Sequence, residues 1–399
     1  MKNKTWLRYL VNFGLWLLGL VMLFFVTVGI TYSLGTLPEI LGVKGAALQW
    51  WMWGLRLIVM AFFVAAGFWV IFHPFHTRQT LTTIRIWFWL KISRKKAVEA
   101  IAETKPEVKP TAKLVPVSRR RFLIEGSALT AFAVDSFLIE PNGPTISRLE
   151  IKIPNLPAAF NGLTIAQLSD IHIDPYTTAE DVARIVEQVN ALKPDLTVVT
   201  GDFISRGTYY FDMAAETLGK LRDGARLGVY GSSGNHDHWS DGSDLGRIAP
   251  LFAKNGLPLL RNTATELKLN GDSLWLLGTD DSSTDNADLS KTVRALGYQT
   301  VEAAGRDTRP KILLSHNPNF SEQAKGLGNT FMLSGHTHGG QVYIPALADA
   351  AMWPIYQQLR GYYKLDNLQM YVNNGFGTVG PPFRFLTRPE IALIKLVTA

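Results

Sequence analysis

The chain has 399 residues, 40 Lys+Arg against 33 Asp+Glu for a formal net charge of +7, and no cysteine. That length exceeds a typical single domain, and the missing cysteine excludes disulfides, thiolate catalysis, Cys-ligated zinc and iron–sulfur clusters. Residues 1–121 hold 17 basic and 4 acidic residues, a net of +13, whereas the remainder holds 23 and 29, a net of −6. The basic excess is therefore N-terminal, and no nucleic-acid-binding run is expected beyond it.

Residues 9–34 carry no charge, and 15–30 are almost wholly apolar. About 20 apolar residues suffice to cross a bilayer as a helix. Lys2, Lys4 and Arg8 precede them and favour a cytoplasmic N-terminus. A cleavable signal peptide is the rival reading, disfavoured because the apolar run is too long and no small-x-small site follows. A second span is expected over 48–72, with Trp50, Trp51 and Trp53 at its start and Arg56 snorkelling to the interface. Residues 1–76 thus read as a two-helix membrane anchor, with His73 and His76 at the interface.

Residues 77–121 read as a basic juxtamembrane segment. Trp87, Phe88 and Trp89 between Arg85 and Lys91 suit a helix lying on the membrane, and Pro106, Pro110 and Pro116 mark an extended linker. Ser118-Arg119-Arg120-Arg121-Phe122-Leu123 resembles a twin-arginine export signal, followed by an apolar stretch over 122–140. Its distance from the N-terminus, and Glu125 and Asp135 within it, count against a simple signal. A third crossing here is the favoured reading. It would put the catalytic domain on the outer side of a bacterial cytoplasmic (inner) membrane, in a multi-pass protein; without it the chain returns to the cytoplasm.

From about 150 to 399 the pattern changes to alternating strands and helices. Residues 163–168 read as a strand. Thr177-Thr178-Ala179-Glu180 reads as a capping box. Val182, Ile185, Val186, Val189 and Leu192 form one helical face that Pro194 closes. Strands are expected at 196–200, 227–230, 274–277, 312–314 and 331–333, and a helix over 210–222. A βαβαβ run followed mainly by strands argues for α/β layers with a sheet buried on both faces.

Five polar clusters fall just beyond these strands: Asp170-Ile171-His172, Gly201-Asp202, Gly234-Asn235-His236-Asp237, Ser315-His316-Asn317 and Gly335-His336-Thr337-His338. Sites in open α/β sheets lie beyond the carboxyl ends of the strands, so these distant residues should converge. Asp170 and His172, two apart, would point the same way from an extended strand end and grip one ion. Asp202 offers two oxygens that can bridge two cations, Asn235 a neutral carbonyl, and His316, His336 and His338 imidazole nitrogens. Such mixed N/O ligation suits manganese, iron or zinc and poorly suits calcium.

The series Asp-x-His, Gly-Asp, Gly-Asn-His-Asp, His, Gly-His-x-His resembles the calcineurin-like metallophosphoesterase superfamily. All five motifs stand in family order over residues 160–395. The resemblance implies a four-layer αββα sandwich, two packed mixed sheets flanked by helices. It implies two divalent metal ions, with manganese favoured and iron, zinc or a mixed pair possible. Asp170, His172 and His338 would hold one, Asn235, His316 and His336 the other, and Asp202 would bridge them. A metal-bridging hydroxide would attack phosphorus in a phosphodiester or pyrophosphate substrate. His236 would act as a general acid, oriented by Asp237. Gly335 through Gln341, Asn374 through Gly377, Pro381 through Arg384, and Pro389-Glu390 resemble a bacterial membrane-associated branch. Its relatives include enzymes that hydrolyse UDP-diacylglucosamine, which makes a lipid-linked substrate an expectation. The rival readings are a membrane-tethered metal-binding sensor or scaffold without turnover, which the intact His236 argues against, and a transporter, for which the spans carry too few polar groups.

Of the eight histidines, six fall after residue 170 and only His238 of these lies outside the motifs; it reads as a structural or rim residue. Arg206 and Arg384 are weighed equally between substrate phosphate and surface pairing, and Asp280 and Asp281 read as loop residues or as outer partners that support the ligands.

Overall fold

Strand β2, Thr164–Leu168, and strand β3, Leu196–Thr200, are buried along nearly their whole length, and their side chains alternate between two hydrophobic cores. Ile165 and Val198 face one core, and Ala166 and Val199 face the other. A strand that is apolar on both faces needs a layer on each side, and this sets the architecture. The structure is a computed structural model. It describes residues 119–343 and 355–399 apart from 381, with a few isolated positions between 54 and 64. Apart from those isolated positions, the two spans expected within 1–76 lie outside the described residues, as do residues 77–118 of the segment expected over 77–121.

Helix α1, Arg119–Val134, belongs to a different unit from the residues that follow. Among the described residues no helix is long and apolar enough to cross a membrane. The stretch 122–140 is divided: α1 ends at Val134, and a π-helical turn, Asp135–Ile139, opens the second unit. Phe137 is buried against Phe383, with ring centroids 4.8 Å apart, and Ser136 and Glu140 are buried as well. Residues from Asp135 onward therefore group with the two sheets.

That unit holds two mixed sheets. The first has the order β1-β11-β2-β3-β4, where β1 is Thr145–Ile153, β4 is Val229–Ser232 and β11 is Glu390–Thr398. β11 is antiparallel to β2 and parallel to β1, while β2, β3 and β4 run parallel. The second has the order β5-β6-β7-β8-β10-β9. Its strands are β5 Thr263–Leu269, β6 Asp272–Gly278, β7 Lys311–Leu314, β8 Thr330–Ser334, β9 Gly361–Leu365 and β10 Leu368–Val372. β6, β7, β8 and β10 are parallel.

Ile165, Val198 and Ile394 of the first sheet meet Leu276, Ile312, Leu314 and Phe331 of the second in a central core. Outside the first sheet lie α2, Ala179–Ala191, α3, Phe211–Gly219, and a short helix around Phe252. Outside the second lie Leu289, Val293, Ala304 and Phe320 from short helices. The four-layer αββα arrangement is the one expected.

Local expectations shift by small amounts. The capping box on α2 is one residue later: Thr178 Oγ1 accepts from the Asp181 amide, and Asp181 accepts from the Thr178 amide. Either Thr fits the pattern, but a cap residue needs extended backbone, and Thr178 has it at ψ 165°. The third strand runs two residues later than expected, because Gly228 turns the chain with φ +92° before Val229. Five strands carried no clear sequence signal. β1 reads TISRLEIKI and lies at a half-exposed edge, where apolar and charged residues mix.

Leu276 sits fully buried between the sheets. Leu276→Ala is expected to lower the stability of this two-sheet unit by about 2–5 kcal/mol in urea unfolding followed by tryptophan fluorescence. Ile146→Ala, at a 41% exposed position, is expected to change it by less than about 0.5 kcal/mol.

Candidate metal centre

The carboxyl ends of β2, β3, β4, β7, β8 and β10 open onto one edge of the sandwich. The ladders continue past the strands: the Asp170 amide donates to Gly201 O (3.1 Å), that of His172 to Asp202 O (3.0 Å), and that of Gly335 to His316 O (2.9 Å). Contacts between the sheets then draw the two edges together. The His336 amide donates to both Asp170 oxygens (3.0 and 2.9 Å), His316 Nδ1–H to Thr200 O (2.7 Å), and Gln167 Nε2 to Ser334 O (2.9 Å).

Asp170, His172, Asp202, His336 and His338 all have positive φ, between 49° and 70°. The expectation that Asp170 and His172 share a face of an extended strand is therefore corrected. Both have left the strand in left-handed turns, which costs non-glycine residues of order 1–3 kcal/mol each. They still meet, because the turns fold their side chains over the strand end. Gly201 needs its glycine outright: φ is +80°, and a Cβ would stand 2.6 Å from His316 Nδ1.

Three donor groups result among the described residues, and one of them, His172, Asp202 and His236, shares members with the other two. Asp170, His172 and His338 offer atoms within 4.8 Å of one another, and so do Asp202, His316 and His336. In the first, His172 Nε2 lies 3.0 Å from His338 Nε2, which is 3.4 Å from Asp170 Oδ1. In the second, His336 Nδ1 lies 3.1 Å from His316 Nε2. Asp202 Oδ2 sits between the groups, 3.4 Å from His172 Nε2 and 3.1 Å from His316 Nε2. Asn235, the first residue of α4 (Asn235–Asp241), is 3% exposed, and its Oδ1 is buried with no hydrogen-bond partner. An orphaned buried carbonyl is costly and fits a cation ligand. All seven expected ligand residues are buried or nearly so.

The electrostatics suit cation binding. Burial, followed by the neighbouring imidazoles, holds His172 and His338 well below their ordinary values and pushes His336 down to about 3. These rings are neutral and have lone pairs to offer. His316 is the exception: burial opposes its protonation, but the Asp202 and Asp170 carboxylates hold it well above the ordinary value. Burial alone would raise Asp202, yet the His316 and His236 rings keep it well below the carboxylate range. Two close negative groups thus demand positive charge at this point.

His236 and Asp237 are arranged differently from the expectation. His236 Nδ1 donates to the Ser205 carbonyl (2.6 Å), which is what orients the ring. The Asp237 carboxylate instead accepts from the backbone amides of Asp202 (3.0 Å), Phe203 (3.0 Å) and Gly234 (2.8 Å). An N3 carboxylate reaches back to a helix start by ordinary capping geometry, so Asp237 ties the β3 and β4 ends together. The His236 ring lies edge-on to His172 (4.6 Å) and within reach of Asp202.

The profile of the calcineurin-like phosphoesterases matches residues 163–340. A Bacillus subtilis metallophosphoesterase, YkuE, is 32% identical over 70% of this chain and 98% of its own length. The chain belongs to the calcineurin-like phosphoesterase family. It is therefore a hydrolase, a metallophosphoesterase. Similarity extends to LpxG of Chlamydia trachomatis, a UDP-2,3-diacylglucosamine pyrophosphatase, at 27% identity over 64% of this chain and 90% of that one. A Danio rerio transmembrane protein with a metallophosphoesterase domain is 33% identical over 64% of this chain, which spans 58% of that relative.

Several groups in this phosphoesterase escaped the sequence reading. Tyr356 Oη lies 2.8 Å from His336 Nε2, so the other ring nitrogen, Nδ1, faces His316. No motif surrounds Tyr356, and its position could not be read from spacing. Arg384 meets neither solvent nor an open pocket: it is fully buried and bonded to backbone carbonyls. Arg206 is exposed on the loop after β3. His238 is structural, with Nε2 2.6 Å from Asp280, which also receives Arg261 Nε (2.9 Å). Asp281 is buried and accepts from the Thr284 amide (2.9 Å).

Tyr356→Phe is expected to weaken Mn²⁺ binding by about 10-fold, as the loss of an outer ligand partner does, without changing the unfolding temperature of the metal-free protein. Asp280→Asn is expected to cost on the order of 3 kcal/mol by leaving buried His238 and Arg261 without their anion. The Asp280 side chain raises the His238 pKa against the opposing effect of burial. Its contribution is therefore complete below the unfolded histidine value and fades as pH rises through the raised folded one. It also fades in acid as Asp280, held below its ordinary value, protonates. The gap in melting temperature between wild type and variant should narrow at both ends.

Proposed function

We propose that this phosphoesterase is anchored in the bacterial cytoplasmic membrane by N-terminal helices. It would hydrolyse a phosphodiester or pyrophosphate bond of an amphiphilic, lipid-linked substrate, using two divalent ions, with manganese favoured. The observation that carries the two-ion reading is the partnerless buried Asn235 carbonyl, next in sequence to Gly234, whose amide nitrogen crowds Gly201 together with the His316 ring. Without a cation it would be a net cost to the fold. Similarity to a UDP-2,3-diacylglucosamine pyrophosphatase and the apolar runs within 1–76 support the substrate class and the anchor. The basic flank and the arginine run at 119–121 favour an outward-facing domain.

Asp170, His172 and His338 would hold one ion, and Asn235, His316 and His336 the other, with Asp202 shared. When bound, such a pair supplies an activated water at neutral pH and neutralises charge on phosphoryl oxygens. His236 Nδ1–H is committed to Ser205 O, so Nε2 is the atom that can pass a proton to the leaving oxygen. Backbone binding of Asp202 Oδ1 by the His236 amide (2.8 Å) fixes the shared carboxylate and the proton donor to each other. Trp239, 60% exposed and tilted over His236 at 4.6 Å, gives the leaving group an apolar wall.

Asp202→Ala and Asn235→Ala are expected to abolish hydrolysis of a chromogenic phosphodiester and to bind fewer ions per chain. His236→Ala should keep two ions while kcat falls by about 10²–10⁴-fold. Wild-type rates in all three would sink the mechanism. UDP-diacylglucosamine in mixed micelles should exceed a soluble nucleotide sugar in kcat/KM, and equal values would remove the amphiphilic assignment. Protease cleavage of the catalytic domain in intact spheroplasts is expected, and protection there would place it in the cytoplasm.

A further inference from the structure

Among the described residues Arg384 is the largest fully buried side chain, and it sits against His338 of the first donor group. The two terminal nitrogens of its guanidinium bond the carbonyls of a single loop, while Nε has no hydrogen-bond partner. Nη1 donates to Asn374 O (3.1 Å) and Thr387 O (2.9 Å), and Nη2 donates to Gly375 O (3.2 Å) and to Gly377 O. Nη2 also lies 3.4 Å from His338 Nδ1. Burial lowers the guanidinium pKa to about 10, so it is charged at neutral pH, and the carboxylates of Asp170, Glu140 and Glu390 favour that charge.

The loop it gathers is the back wall of the Asp170–His172 turn. The Phe376 amide donates to Ser169 O (2.9 Å), and the Gly377 amide donates to Asp170 O (2.7 Å). Gly375 has φ +73°, and a Cβ there would stand 2.7 Å from the Asp170 Cβ. The wall thus touches the backbone of the turn that presents one carboxylate and one imidazole, while the same guanidinium faces the third donor, His338.

The far end of the loop is held by the segment that enters the domain. The Arg384 amide donates to Ser136 O (3.0 Å). Glu140 accepts from the Leu386 amide at Oε2 (2.9 Å) and from the Thr387 amide at Oε1. Phe137 covers Phe383. Residues 136–140 therefore latch the strand of chain that carries Arg384.

We propose that Arg384 is a positioning residue for the Asp170–His172–His338 pocket alone, and that the entering segment 136–140, through Glu140, holds it in place. The connection toward the expected membrane anchor and one of the two cation sites would then be a single mechanical unit. This rests on the ligand assignment given under Proposed function.

The full-length chain in detergent, stripped with a chelator, is titrated with Mn²⁺ alone by calorimetry. Wild type should take two ions. Arg384→Gln should weaken one binding step by about 10-fold or more and leave the other nearly unchanged, the scale of an outer partner's loss. Arg384→Lys, which keeps the charge with fewer donors, should recover part of it. Glu140→Gln leaves Arg384 in place and should weaken the same step by less. In a His336→Ala background, which disables the second pocket, the remaining step must still respond to Arg384→Gln. Equal weakening of both steps, or unchanged affinities with only a lower unfolding temperature, overturns the proposal. If Arg384→Gln does not fold, unchanged Mn²⁺ binding in Glu140→Gln overturns it. No Mn²⁺ uptake by wild type would instead refute the ligand assignment itself.

Discussion

Left-handed backbone at the strand ends is the constraint on which the site depends. Five of the seven expected ligand residues occupy it, and none is the glycine that would adopt it freely. The conformation survives because the surroundings leave no alternative. Asp237 holds three amides around Asp202, the His336 amide is bound to Asp170, and the loop after β10 caps the carbonyls of Ser169 and Asp170. The Asp237 clamp joins the ends of β3 and β4 within the first sheet, whereas the His336 and post-β10 clamps join the two sheets, so the Asp170 turn is completed only when the sheets are docked. Strain of this kind concentrates where side chains must be aimed at a common point.

What the clamps deliver is an unusual concentration of like groups. Four imidazoles and two carboxylates lie within a few ångströms in a buried space, with three of those rings kept neutral by burial and by one another. Such an arrangement is poor for folding on its own account. His316 relieves part of it by gaining positive character between Asp202 and Asp170. A cation bound there would displace that proton, which is why metal binding and pH are linked in sites of this type.

The donor set was legible because ligand chemistry restricts residue type, and the strand-end rule restricts position. Neither rule speaks about outer partners. Ser205 acts through a carbonyl, which every residue has, and Tyr356 reaches His336 from an irregular loop, so neither leaves a trace in the spacing. Asp237 was visible in the motif, but its task was misread, since a carboxylate beside a histidine looks the same whether it binds the ring or the helix start. The inner strands β2, β3, β7 and β8 could be read from apolar runs. β1, β9 and β11 could not, because β1 and β9 are edges and β11 mixes Lys395 into its sequence.

If Asn235 is a cation ligand as proposed, net charge would explain why that position is an amide. Two carboxylates set against two divalent cations leave an excess of two positive charges in a dry pocket, where field effects are strong. A third carboxylate at 235 would halve that excess and oppose an incoming phosphoryl group. Asn235 supplies the oxygen without the charge. Its place at the first turn of α4, next to His236, means that under the proposed assignment the same short helix would carry a cation ligand and the proton donor. A shift of α4 would therefore disturb both together. The Asp280–His238 pair and the Asp237 cap both anchor that seven-residue helix.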